Sequence, residues 1–173
     1  MFPRKTGFAL TLALGIACSA VAMAQTVWQP TPSGIGFGKP RSKQWVQMVS
    51  SAQFTVPTAK YERIALQFSI DNGLHINSHT PHSQFLIPTA LTLEKTPGVQ
   101  VARIEYPQGV DYRFQFDPKD PLSVYTGEFS VLVQLHAHSG HYVLHGHLRY
   151  QSCVNRACNP PQTLPVRLDL TAK

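Results

Sequence analysis

Residues 131–150 read VLVQLHAHSGHYVLHGHLRY, and the alternation within them decides the fold. Val131, Val133 and Leu135 share one parity before Ser139-Gly140, and Tyr142, Leu144 and Leu148 share one after it. A period of two places such a set on one face of a β-strand and its neighbours on the other. If Ser139-Gly140 is a two-residue turn, position 138 faces 141, 136 faces 143, 134 faces 145 and 132 faces 147. The apolar residues then form a core face, and His136, His138, His141, His145 and His147 share the opposite one.

The same period recurs on both sides of this segment. Ile64, Leu66, Phe68 and Ile70 alternate, as do Val99, Val101 and Arg103, and Leu164, Val166, Leu168 and Leu170. Turn signals separate the runs: Asp71-Asn72-Gly73, Thr96-Pro97-Gly98, Pro107-Gln108-Gly109 and Asp117-Pro118. No long stretch past residue 43 carries a helical period, and there is no internal repeat. Many short strands at spacings of about 8 to 15 residues argue for an all-β chain, folded as an antiparallel β-sandwich of immunoglobulin-like type.

The first residues have a different character. Arg4 and Lys5 precede an apolar run from Phe8 to Ala17, and Ala22-Met23-Ala24 precedes Gln25. Basic start, apolar middle and small-residue exit describe a secretory signal peptide over residues 1–24, cleaved after Ala24. The apolar run, at about ten residues, is half the length of a membrane span of about twenty, so no membrane span is expected. Cys18 raises the alternative of lipid attachment, which Gly15-Ile16-Ala17 before it fits poorly. Residues 25–43 are rich in Pro, Gly and Ser without apolar period and read as a flexible leader. One domain over 44–173 follows.

Cleavage leaves 149 residues, with 13 Lys and Arg against nine Asp and Glu, a net charge of +4. The basic residues are scattered, without the aromatic interleaving that single-stranded nucleic acid requires, so nucleic acid is not an expected partner. Cleavage also leaves two cysteines, Cys153 and Cys158, which an oxidising compartment should pair. Spacing alone favours an inert structural staple. Around them, however, Pro160 and Pro161 withdraw two N–H donors from the rim just past Cys158, which holds Cys158 at an accessible edge. Asn159, preceding proline, is pushed towards an extended conformation. Arg156, between the cysteines, favours a thiolate by charge.

YQSCVNRACNPP (150–161), followed by the strand TLPVRLDL, resembles the end of the N-terminal periplasmic domain of the bacterial thiol:disulfide interchange protein DsbD, an immunoglobulin-like module. The resemblance extends upstream through IEYPQGV and VYTGEFSV to DNGLHINSH. In that family two cysteines relay electrons from a thioredoxin-like partner to oxidised exported proteins. Carried over by position, Cys158 matches the cysteine that forms the mixed disulfide, and Cys153 the one that closes the internal bond. The resemblance also implies a cap loop whose phenylalanine shields the disulfide; Phe116 is the best match and Phe114 the second, in VDYRFQFDPKDPLSV. Two departures stand out: the inter-cysteine loop is one residue shorter here, and Phe114 and Gln115 replace the acidic residues beside the cap phenylalanine. The chain ends at Lys173 without membrane-embedded or thioredoxin-like parts, so a stand-alone, monomeric, periplasmic protein is expected. It would use separate thioredoxin-fold or DsbD-like partners through transient mixed disulfides, and no cofactor.

Two other classes stay open. A copper- or nickel-binding module would use the histidine face, with His136, His138 and His141 as candidate ligands, although no carboxylate or cysteine is interleaved with them. An inert interaction domain would have Cys153–Cys158 only as a staple. His75, His79 and His82 read as loop residues near the cysteine rim, where they offer aromatic or polar cover.

Overall fold

Alternation becomes burial along the longest strands. In Glu62–Ile70 (β3), Ile64, Leu66, Phe68 and Ile70 are buried while Ala65 between them is exposed. Glu128–Ala137 (β9) buries Phe129, Val131, Val133, Leu135 and Ala137, and Gln162–Ala172 (β13) buries Val166, Leu168, Leu170 and Ala172. Each large apolar side chain taken out of water contributes about 1.5–3 kcal/mol, so a one-residue slip, which would turn the whole set outward, is strongly disfavoured. The computed structural model describes residues 43–114, 117–155 and 157–173, with the side chains of Phe114 and of residues 117–120 left aside. The expected signal peptide, Cys18 and nearly all of the expected leader lie outside these residues, as do Phe116 and Arg156.

Two four-stranded sheets, with strands numbered in chain order, enclose the core. The first has the order β1-β3-β9-β6, with β1 at Val46–Met48 and β6 at Val99–Glu105. The second has the order β2-β13-β10-β5, with β2 at Gln53–Val56, β5 at Ala90–Leu93 and β10 at Gly140–Tyr150. Leu66, Phe68 and Val133 from the first sheet and Leu144, Leu148 and Leu168 from the second belong to one apolar cluster. Pairing among the described residues is antiparallel except where β2 runs alongside β13 in parallel. The fold is the expected all-β, immunoglobulin-like sandwich.

A third sheet grows out of the first two. Its order is β12-β11-β4-β8-β7, with β4 at His75–Asn77, β7 at Val110–Phe114, β8 at Asp117–Thr126, β11 at Ser152–Val154 and β12 at Ala157–Cys158. Strand β3 passes into β4 through Asp71–Leu74, where Leu74 N–H donates to Asp71 O at 3.2 Å and Gly73 takes φ +79°. Gly127, at φ +61°, carries β8 into β9. A left-handed φ suits glycine because it has no Cβ to clash. Gln151 carries β10 into β11.

Three details of the sequence reading need correction. Ser139-Gly140 is not a hairpin turn: β9 and β10 lie in different sheets, and Ser139 lies in the link that crosses between them. Strand β10 finds a longer partner in β13, in register from Gly140↔Ala172 to Tyr150↔Gln162, while β9 is flanked by β3 and β6. The apolar parity of both strands survives, since each still turns that face to the core, but the histidines are divided between two outer surfaces. Next, Arg103 does not continue the Val99, Val101 parity. A bulge between Val101 and Arg103 shifts the register, so Ile104 pairs with Val133 and packs against the core. Finally, Asp117-Pro118 opens β8 opposite Phe114 instead of forming a turn.

Candidate functional site

The cysteines face each other across a short hairpin. Cys153↔Cys158 and Val154↔Ala157 are the paired positions of β11 and β12, and a disulfide joins the two cysteines. Asn155, at the turn, has φ +46°, a conformation that asparagine tolerates better than most residues. Beyond Cys158 the ladder continues for one residue, with Asn159 N–H donating to Ser152 O at 2.8 Å, and then meets Pro160 and Pro161, which have no N–H to offer. Two side-chain bonds fix this rim: Asn159 Nδ2 to Ser152 Oγ at 3.0 Å, and Gln151 Nε2 to Asn159 O at 3.2 Å.

The two cysteines differ sharply in access. Cys153 is 0% exposed, held in β11 between β12 and β4, while Cys158 on the edge strand is exposed. The expected accessible edge at Cys158 is therefore present in the geometry.

The other neighbour of Cys153 is unexpected. His75 sits on β4, not in a loop, and is the antiparallel partner of Cys153. Residues directly opposite in such a pair share a face, with Cβ atoms about 4.5–5.5 Å apart. His75, Cys153 and Cys158 thus form one row across three strands. His75 is 2% exposed, and the Tyr112 ring stacks on it with centroids 4.4 Å apart. The phenol comes from β7, the strand that opens the expected cap segment. Phe114 closes that strand, its side chain outside the described residues, and Phe116 lies outside them altogether. Tyr112 was not singled out from the sequence, although it stands two residues before Phe114 in the same aromatic-rich run, and that proximity was the available signal.

Burial lowers the His75 pKa from its ordinary value of 6.5, because the imidazolium would be cut off from water. The folded state therefore favours the neutral ring. The unfolded chain takes up a proton near pH 6.5 that the folded chain resists, so this residue's contribution is complete above pH 6.5 and is lost as pH falls below it. The oxidised domain should show a falling urea midpoint between pH 7.5 and pH 5, and His75→Phe should flatten that part of the decline.

Five of the other histidines make contacts elsewhere. His79 Nδ1 lies 2.9 Å from Thr89 O with its ring stacked on Tyr106 at 3.7 Å, and His82 Nδ1 lies 2.9 Å from Pro121 O. His136, on the outer face of β9, bonds Thr58 O through Nε2 at 2.9 Å, and its ring is 5.9 Å from that of His138. His141 belongs to the other sheet and pairs with Thr171 Oγ1 at 3.0 Å. Separation of β9 from β10 is what divides this set. Among the described residues no group of three or more His, Cys, Asp or Glu is arranged to hold a metal ion.

A family model described as thiol:disulfide interchange protein DsbD, N-terminal, matches residues 42–170. Among solved structures, the N-terminal domain of Neisseria meningitidis DsbD in the reduced form is similar at 18% identity, over 62% of this chain and 74% of that one, with a TM-score of 0.41. The periplasmic chaperone SfaE is similar at 7% identity, over 74% of this chain and 57% of that one, with a TM-score of 0.36. No curated protein matches the chain.

Proposed function

The chain belongs to the family of DsbD N-terminal domains, a family of thiol–disulfide interchange, and from that premise we propose that it is an exported, periplasmic exchange domain that relays electrons through Cys153–Cys158. It takes them from a thioredoxin-fold or DsbD-like donor and passes them to oxidised exported proteins, by transient mixed disulfides and without a cofactor. Cys158 is the residue attacked and Cys153 the residue that closes the internal bond. Phe116, with Phe114 second, shields the pair, and Arg156 favours the thiolate. The observation that carries this reading is the asymmetry of access: one cysteine of the disulfide is exposed on an edge strand and the other fully buried.

An exchangeable disulfide must open without unfolding its carrier. The Cys153–Cys158 loop contains four residues, and so constrains the unfolded chain by less than the ~3 kcal/mol expected of a 15-residue loop. The core of β3, β9, β10 and β13 holds without it. Titration in a glutathione or dithiothreitol series should give a reduction potential above about −300 mV, the level below which structural disulfides usually lie. The reduced protein should keep a cooperative thermal transition. A potential well below that level, or loss of the transition on reduction, would return the pair to the status of a staple.

A further inference from the structure

His75 Nε2 is a buried polar atom with no hydrogen-bond partner among the described residues. Its position is unusual for such an atom, because the residue lies opposite Cys153 and in line with the disulfide. Buried polar groups are nearly always paired, and an exception beside a reactive bond calls for a functional account. Among the described residues the other buried side-chain atom of this kind is Asn77 Oδ1, but that amide is already anchored through Nδ2 to Ile87 O at 3.0 Å and Gln151 Oε1 at 3.3 Å. His75 is held mainly by the Tyr112 stack and its strand, which fix the ring while leaving Nε2 unspent.

In the oxidised protein the Cys153 sulfur is bonded to Cys158 and is a poor hydrogen-bond acceptor. Opening the disulfide changes this. A dithiol reductant's thiolate attacks Cys158 Sγ and bonds to it; the Cys153–Cys158 bond breaks, and its electron pair goes to Cys153 Sγ. The reductant's second thiol then attacks its own sulfur in the mixed disulfide and expels Cys158 as a thiolate. Two electrons have passed to the pair, the reductant leaves as a disulfide, and its two protons end on the cysteines. During the first step negative charge develops on Cys153 Sγ at a position with no solvent access. A buried charge without a partner is costly.

We propose that His75 Nε2–H is the hydrogen-bond donor to the Cys153 sulfur as the disulfide opens and in the reduced protein, so that the imidazole left unpaired by oxidation is satisfied by reduction. This rests on the exchange reading above and assigns a partner to its leaving group. Tyr112 acts through His75, holding the ring plane against the sheet. The neutral ring that burial favours is compatible with this role, since neutral imidazole carries one N–H.

The test uses dithiothreitol and the chain alone, so it needs no protein partner. His75→Phe keeps an aromatic ring against Tyr112 and removes the donor. The oxidised variant should melt cooperatively at or above the wild-type Tm, yet be reduced about tenfold more slowly at pH 7, the size expected when a hydrogen bond to a charged group is lost. His75→Gln, which restores a neutral donor of similar reach, should recover the rate to within about threefold. Reduction of His75→Phe at the wild-type rate, or a Gln variant as slow as Phe, would overturn the assignment while leaving the exchange reading intact. A wild-type disulfide that resists dithiothreitol would remove both. If His75→Phe does not fold, nitrogen-15 spectra of the wild-type imidazole decide: the His75 Nε2 signal should move on reduction and that of His79 should not, and an unmoved His75 signal overturns the proposal.

Discussion

Cys153→Ser should trap a stable mixed disulfide between Cys158 and a thioredoxin-fold donor, while Cys158→Ser traps little. The argument starts from the transition state of exchange, in which three sulfurs align and the incoming thiolate approaches along the axis of the bond it breaks. Such an approach needs open space behind the attacked sulfur. Cys158 lies on the edge strand β12, exposed, and the prolines at 160 and 161 offer no N–H with which another strand could cover that edge. Cys153 is fully buried between its neighbours. With Ser at 153 no internal thiol remains to expel the partner, so the complex should persist on a non-reducing gel. With Ser at 158 the surviving thiol is inaccessible, and the yield should be lower by about tenfold or more. Phe116→Ala should in addition speed reaction of the wild-type pair with small thiols if that ring covers it. Equal trapping by both cysteine variants, or trapping only through Cys153, would reverse the roles.

The sequence carried the fold further than it carried the site, and the reason is local. Parity within a strand is set by which face is buried, so Ile64 to Ile70 and Val166 to Leu170 were readable one residue at a time. Which strand pairs with which is decided by the whole sandwich, and Ser139-Gly140 looked like a hairpin turn while its strands went to different sheets. The histidine face failed with it. The cysteine pair was legible because its chemistry lies within a few residues of sequence: two cysteines, then a proline pair. His75 was not, since its position opposite Cys153 joins residues far apart in the chain through a strand of three residues. A segment that short carries too little alternation to be told from a loop.

Tyr150→Ala should be the most damaging single truncation near the site, for reasons that join core to rim. Tyr150 is the last residue of β10, fully buried, and among the largest buried side chains. Its hydroxyl accepts from Trp45 N at 3.1 Å and lies 2.9 Å from Gln44 Oε1 and 2.8 Å from Gln162 Oε1, donating to one of them at a time. The ring fills core while the hydroxyl ties the start of the described chain to the start of β13. Removing a buried aromatic ring costs about 3–5 kcal/mol, because the surroundings collapse only partly onto the space it leaves. Tyr150→Phe keeps the ring and gives up the hydroxyl, which should cost about 1–3 kcal/mol through the polar groups left unpaired. At about 2–4 °C per kcal/mol for a domain of this size, the Ala variant should melt about 6–20 °C below wild type and the Phe variant above it. The consequence for chemistry follows from position: Gln151, Ser152 and Cys153 come directly after Tyr150, and a loosened strand end should let alkylating reagents reach Cys153 in the reduced protein, where wild type protects it. An Ala variant that melts with wild type, or one that melts early yet still protects Cys153, would show that β11 is held by β4 and β12 alone and does not depend on the strand that leads into it.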